Sequence, residues 1–163
     1  THRMSSAASD VYKRQRYASK KTGLPALADD SGLEVDVLDG QPGLYSARYA
    51  LNTVGEKSDE HNLIKFLEDL RDVPFSHRKA RYCCAMAYVE NENDAMPIIG
   101  AGVWNGDILT ERRTGQGIGY DDVFWVPQMF KTVSEIPDDI KNSVSHRAKA
   151  LDSIIQQLQG EQF

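Results

Sequence analysis

Apolar and polar positions alternate at Leu33, Val35 and Val37, with Glu34 and Asp36 between them, the period-two pattern of a strand with one buried face. A short apolar run from Pro25 to Ala28 precedes it as a second strand candidate, and Asp29-Asp30-Ser31-Gly32 separates the two. From Ser58 the period becomes helical. Ser58 is a good N-cap, Asp59 and Glu60 suit the positive first turn, and Leu63, Phe66, Leu67 and Leu70 recur on one face, which predicts a helix over 58–70. Between Arg81 and Val89 the period returns to two, with Tyr82, Cys84, Met86 and Tyr88 on one face. Turn residues over 91–94 then lead into the apolar run Ile98 to Trp104, so the pair reads as a β-hairpin. Asn105-Gly106 marks a tight turn, after which Ile108 and Leu109 continue the meander. Pro137, followed by Asp138 and Asp139, opens a last helix whose apolar stripe is Val144, Leu151, Ile154, Ile155 and Leu158.

Three stretches carry no clean period. Thr1 to Gln15 mixes Ser, Ala and scattered charges and reads as a non-native or disordered lead-in, leaving residues 16–163 as a single α/β domain. Arg16 to Lys21 then reads as the tail of a helix stopped by Gly23 and Pro25. Gln41-Pro42-Gly43 is a turn signal, and Leu44 to Tyr49 is irregular. Gly115, Gly117 and Gly119 punctuate the chain before Tyr120 and Asp121, as expected of a loop in which backbone approaches a ligand or another segment closely.

Composition narrows the partners. With 163 residues, 40% hydrophobic and 26% charged, the chain supports one ordinary core. Its 24 acidic and 19 basic residues give a net charge of −5, so a nucleic-acid polymer is a poor partner, whereas a small nucleotide carried in with a metal ion is compatible. No apolar run approaches the roughly 18 residues that cross a bilayer, so no membrane partner is expected. Adjacent Cys83 and Cys84 suit neither a zinc site nor a disulfide framework, and no signal peptide is visible, so the expected compartment is the cytoplasm.

Two groups of residues could carry chemistry. Asp29 and Asp30, followed by Ser31 and Gly32, can hold a hard divalent cation through oxygen while orienting a water. Consecutive strand residues point to opposite faces, so one carboxylate should face the site and the other brace the loop. Taken alone, the motif is more simply a solvated turn. Ser145-His146-Arg147, with Lys141 one turn earlier, places hydroxyl, imidazole, guanidinium and ammonium on one helix, a donor-rich face for carbonyl oxygens or phosphates. Taken alone, it is more simply a charged, solvated helix face. Gly117-Ile118-Gly119-Tyr120-Asp121 lacks the strand-to-helix context and lysine of a P-loop. His2, His61 and His77 have no ligand spacing.

In order, these segments resemble one family, the inosine/xanthosine triphosphate pyrophosphatases, which remove non-standard purine nucleotides from the precursor pool. The resemblance is carried by Leu24 to Asp36 (Leu-Pro-Ala-Leu-Ala-Asp-Asp-Ser-Gly-Leu-Glu-Val-Asp), Pro42 to Tyr49, Gly117 to Asp121 with Phe124, and Ser145 to Leu151. It implies an elongated α/β fold with a mixed β-sheet flanked by helices, a homodimer, and Mg2+-dependent hydrolysis of a purine nucleoside triphosphate to the monophosphate and pyrophosphate. It also implies Asp30 as metal-linked carboxylate and general base, Asp29 as a second metal contact, and Ser31 touching the substrate. Lys141, His146 and Arg147 surround the purine in this likeness, and Ile118, Gly119, Tyr120 and Asp121 form the loop against the base. Selection has an independent logic: hypoxanthine and xanthine carry a carbonyl acceptor where adenine carries an amino donor, so donors such as His146 and Arg147 favour the former.

The likeness has gaps. The family's opening strand and phosphate-binding Ser/Thr-Gly-Asn-x-x-Lys loop have no counterpart, which predicts an unpaired edge or an apolar groove. Ile118 stands where Phe is usual, with an expected loss of about 1–3 kcal/mol of base stacking, and Asp122 stands where Pro is usual. Two readings follow: a purine triphosphate pyrophosphatase copied without its N-terminal segment, and a non-catalytic nucleotide-binding or dimerising remnant. A generic metal-dependent phosphohydrolase is disfavoured, because Asp29-Asp30 lacks Asp-x-Asp spacing.

Overall fold

A computed structural model describes residues 2–114 and 116–160 of the chain, with side chains from residue 11 onward. Gly115, one of the glycines of the expected loop, lies outside the described residues, as do Thr1 and the side chain of His2. Helix α1 (His2–Thr22) leads into strand β1 (Ala26–Val35), then β2 (Gln41–Gly43) and the helices α2 (Leu51–Val54) and α3 (Asp59–Asp69). Strands β3 (Lys79–Val89), β4 (Ile98–Ile108), β5 (Phe124–Val126) and β6 (Lys131–Thr132) follow, and α4 (Asp138–Val144) and α5 (His146–Gly160) close the chain. One six-stranded sheet runs in the order β2-β1-β3-β4-β5-β6. β1 with β2, β4 with β5 and β5 with β6 pair antiparallel. The contacts group into two compact units, one formed by residues up to Ser31, Cys83–Val103 and the chain from Asn142 on, the other by Gly32–Tyr82 and Trp104–Lys141.

The core of the first unit is read directly from two periods. Cys84 and Met86 alternate inward from β3, Ile98 joins them from β4, and Ala150 and Ile154 meet them from α5, with Tyr88 and Leu158 against the edge. The inward stripe of α5 is therefore Ala150, Ile154 and Leu158, whereas Leu151 and Ile155, expected inside, are exposed. Small residues settle this choice. A Cβ at Gly100 would meet the Ala150 carbonyl oxygen, and one at Gly102 the His146 carbonyl oxygen, so α5 lies on β4 at a separation only glycine permits.

Residues 2–15 differ from the expected unstructured lead-in: they are helical and continue into the expected helix tail, which ends with Gly23 at φ +70 and its N–H on the Ser19 carbonyl. Val11, Gln15 and Ser19, spaced i, i+4 and i+8, are buried, and Tyr12 and Arg16 hydrogen bond to the Asp94 carbonyl at 3.1 and 2.7 Å. Because two of the three buried positions are polar, no apolar period betrays this face.

In the second unit the expected helix over 58–70 is α3, with the Ser58 hydroxyl accepting from the His61 N–H at 3.2 Å and Leu63, Phe66 and Leu70 buried. Phe66 meets Tyr120 edge-on at 4.9 Å, and Tyr82 stacks on Phe124 at 4.4 Å. The buried Arg78 guanidinium donates to the Leu70, Val73 and Leu109 carbonyls at 2.6, 2.9 and 3.0 Å, tying the end of α3 to the segment after β4. Two turn signals resolve otherwise. Gln41-Pro42-Gly43 is the edge strand β2, where Pro costs no ladder hydrogen bond. Asn105-Gly106 lies inside β4, and a Cβ at Gly106 would strike the Trp125 carbonyl and sit 2.5 Å from the Phe124 ring, so this glycine serves close packing of β5. The Asp29 to Gly32 stretch is likewise no interruption: β1 runs through it, and Gly32 lets the Gly43 carbonyl approach. The β1–β2 register covers Leu33 to Val35, and Leu24 and Leu27 near the start of β1 are 63% and 46% exposed.

Candidate active site

The last helix is two helices. α4 ends at Val144, and the Ser145 hydroxyl accepts from the Ala148 N–H at 3.2 Å, so Ser145 caps α5. Lys141 and Ser145 therefore do not share one continuous helix face, as expected from sequence. Lys141 pairs with Asp138 at 2.8 Å within α4. His146 and Arg147 become the first two residues of α5, seated on β4 by Gly102.

From that seat Arg147 Nε donates to Asp29 Oδ2 at 2.8 Å. The same carboxylate oxygen accepts from the Ser31 hydroxyl at 3.2 Å and lies 3.9 Å from the Cys84 sulfur. Asp30 turns the other way and meets Arg14 at 4.0 Å, an ion-pair separation too long for a hydrogen bond. The strand pleat thus gives the two carboxylates different partners, as a regular β1 requires.

These contacts set the charge states. Burial works to raise the Asp29 carboxyl, but the hydrogen bond and charge of Arg147, with the Ser31 hydroxyl, outweigh it and hold the group below the ordinary carboxylate value. His146, 8% exposed, is pushed down to about 4 by burial and by the Arg147 charge, so near neutral pH it is an uncharged imidazole, with one ring nitrogen a donor and the other an acceptor. Burial raises the Cys84 thiol to about 11, which keeps it protonated and unreactive. Sequence reasoning missed Cys84 as a neighbour of the carboxylate. Its place in the alternation of β3 was visible, but the adjacency of β3 to β1 was not.

The glycine loop lies in the second unit. Gly119 is left-handed at φ +60, and Ile118 at its tip is 79% exposed. Tyr120 donates its hydroxyl to the Ser46 carbonyl at 2.8 Å, and Asp121 accepts from the Tyr82 hydroxyl at 2.9 Å. A cavity of about 510 Å3 in this unit, lined by Phe75, residues 109–113 and Trp125, contains none of the expected site residues. Among the described residues no three His, Cys, Asp or Glu side chains gather as a ready-made metal cluster.

The Ham1 family model matches residues 4–157. The chain belongs to the Ham1 family. It is 48% identical over 149 residues to a dITP/XTP pyrophosphatase of Vibrio parahaemolyticus, covering 91% of this chain and 72% of that protein. A Ham1 protein from Coxiella burnetii superposes with a TM-score of 0.82 at 41% identity, over 94% of this chain and 76% of that one. The Staphylococcus aureus Ham1 protein does so at 0.80 and 35%, over 93% and 76%. This Ham1 fold is the α/β architecture expected from the sequence. Among the described residues no helix is long and apolar enough to cross a membrane.

Proposed function

We propose that this Ham1 protein hydrolyses non-standard purine nucleoside triphosphates (ITP, dITP and XTP) to the monophosphate and pyrophosphate. The reading is carried by one observation: Arg147 at the start of α5 reaches Asp29 of the Asp-Asp-Ser-Gly stretch at 2.8 Å, joining two motifs that lie 118 residues apart in the chain. The family membership and the dITP/XTP pyrophosphatase activity named for the Vibrio relative support it.

In this reading Asp30 is the general base. Its carboxylate takes a proton from water as the water oxygen adds to the α-phosphorus, the bond from phosphorus to the bridging oxygen breaks, and pyrophosphate leaves with the electron pair. Asp30 also supplies the protein oxygen for Mg2+, which when bound neutralises phosphate charge. Asp29, its Oδ2 already occupied by Arg147 and Ser31, acts as the brace that orients them. Within the first unit Ser31, His146 and Arg147 contact the nucleotide; the family resemblance alone adds Lys141 and the loop Ile118 to Asp121. Arg147 and the imidazole N–H of His146 are donors matched to the six-carbonyl of hypoxanthine and xanthine and opposed by the amino group of adenine. The enzyme acts as a homodimer in the cytoplasm, where Cys83 and Cys84, both free thiols, remain reduced.

Pyrophosphate release with Mg2+ from ITP, XTP, ATP and GTP tests this. ITP and XTP are expected to exceed ATP by about 100-fold or more, the scale of a mismatched buried donor, with GTP the closer competitor because it shares the carbonyl. Equal rates for ATP and ITP overturn the selectivity. An Asp30→Asn variant should lose turnover by about 10²–10⁴-fold while retaining nucleotide binding. Unchanged turnover removes Asp30 from its role.

A further inference from the structure

Asp122 stands where the family resemblance expects proline, and it is buried, with 3% of its surface exposed. A carboxylate in that position needs partners, and it has them. Oδ1 accepts from the Thr114 hydroxyl at 2.5 Å and from the Gly117 N–H at 2.8 Å. The Ser134 hydroxyl joins the same network, 3.1 Å from Thr114 Oγ1. The approach of the Gly117 amide depends on the absence of a side chain: a Cβ there would lie 2.7 Å from Asp122 Oδ1 and 2.9 Å from its backbone nitrogen. The contact closes the segment 117–122 into a ring from which Ile118 projects to solvent. On the other side of that ring, Asp121 N–H donates to the Ile118 carbonyl at 3.2 Å, and the Tyr82 and Tyr120 hydroxyls hold Asp121 and Tyr120.

We propose that Asp122 is the positioning residue of the 117–121 loop, fixing by hydrogen bonds to Thr114 and Gly117 the backbone shape in which the loop meets a purine base. The proposal rests on the reading of this loop as a nucleotide contact. Asp122 touches no substrate itself. It acts through the Gly117 amide, and what the position requires is an acceptor oxygen rather than a negative charge. Asparagine can supply that oxygen and turn its amide toward Ser134, whereas alanine leaves the part-buried Gly117 amide and Thr114 hydroxyl without their acceptor.

Two readouts on the full chain, carrying Asp122→Ala or Asp122→Asn, decide the matter: deuterium uptake of the segment 114–122 by mass spectrometry, and the dissociation constant and number of sites for ITP by calorimetry. Asp122→Ala is expected to speed exchange at Gly117 by about tenfold or more and to weaken ITP about tenfold with the number of sites unchanged. Asp122→Asn is expected to restore both to within about threefold of the parent. A change in site number with an unaltered dissociation constant signifies partial unfolding and overturns the positioning role. Unaltered exchange in Asp122→Ala overturns it as well, as does faster exchange with unaltered ITP affinity, and so does failure of the asparagine variant to rescue. A parent chain that binds no purine nucleotide overturns the proposed function and the loop's role toward the base together, an outcome distinct from a nucleotide-binding parent in which Asp122 proves dispensable.

Discussion

Arg147 and His146 are neighbours with opposite electrostatic fates, decided by burial. Arg147 is 60% exposed and keeps its charge against Asp29, while His146 is enclosed and loses its proton. The consequence for stability has a definite sign. The folded-state pKa of His146 is lowered from 6.5 to about 4, so between those values the unfolded chain binds a proton that the folded chain refuses. Stability is fully present above about 6.5 and is lost on acidification toward 4, by up to about 3 kcal/mol if no other group compensates. Asp29 is also lowered, but its contribution is present above 3.8 and disappears only below that, in a separate window. Urea unfolding at a series of pH values should therefore show a falling midpoint between pH 6.5 and 4, and His146→Gln should flatten that slope; an equal slope in both proteins refutes the assignment. The residue types of this site were legible in the sequence, but the charge state of His146 was not, because it depends on what encloses the ring.

At the level of elements, the decisive feature is the break at Ser145. An apolar stripe alone suggested one helix from Pro137 to Leu158, yet the Ser145 hydroxyl bonded to the Ala148 amide starts a new helix two residues before Arg147. The hydroxyl at that position was legible as a cap in type but not in place, since serine is tolerated inside helices as well. Ser145→Ala should cost about 0.5–2 kcal/mol in thermal or urea unfolding, the range for a lost N-cap. Gly102→Ala tests the seat below it. With the His146 carbonyl in the way of a Cβ, the helix must lift, and the expected loss is about 1–3 kcal/mol together with weaker ITP binding; a fully stable variant with unchanged affinity sinks the idea that β4 sets the start of α5. The same kind of contact explains Gly106 and Gly32. Both read as turn residues, and both instead make room for a neighbouring strand.

For the molecule as a whole, a net charge of −5 opposes association with a polyanion. Titration with a short DNA duplex at physiological salt should give no mobility shift, and a shift would require a basic surface that the overall charge does not suggest. The periods of hydrophobicity determined by themselves the helix α3, the pairing of β3 with β4 and the alternation along β3, because those depend on neighbours within a few residues. Tertiary structure alone decided that β1 runs unbroken through Asp29 to Gly32, that a helix with a buried Val11-Gln15-Ser19 face precedes it, and that Asp29 rather than Asp30 meets Arg147. The physical reason is common to all three. A strand rich in aspartate, a polar buried face and an ion pair across 118 residues are each stabilised by partners distant in the chain, and local pattern carries no record of them.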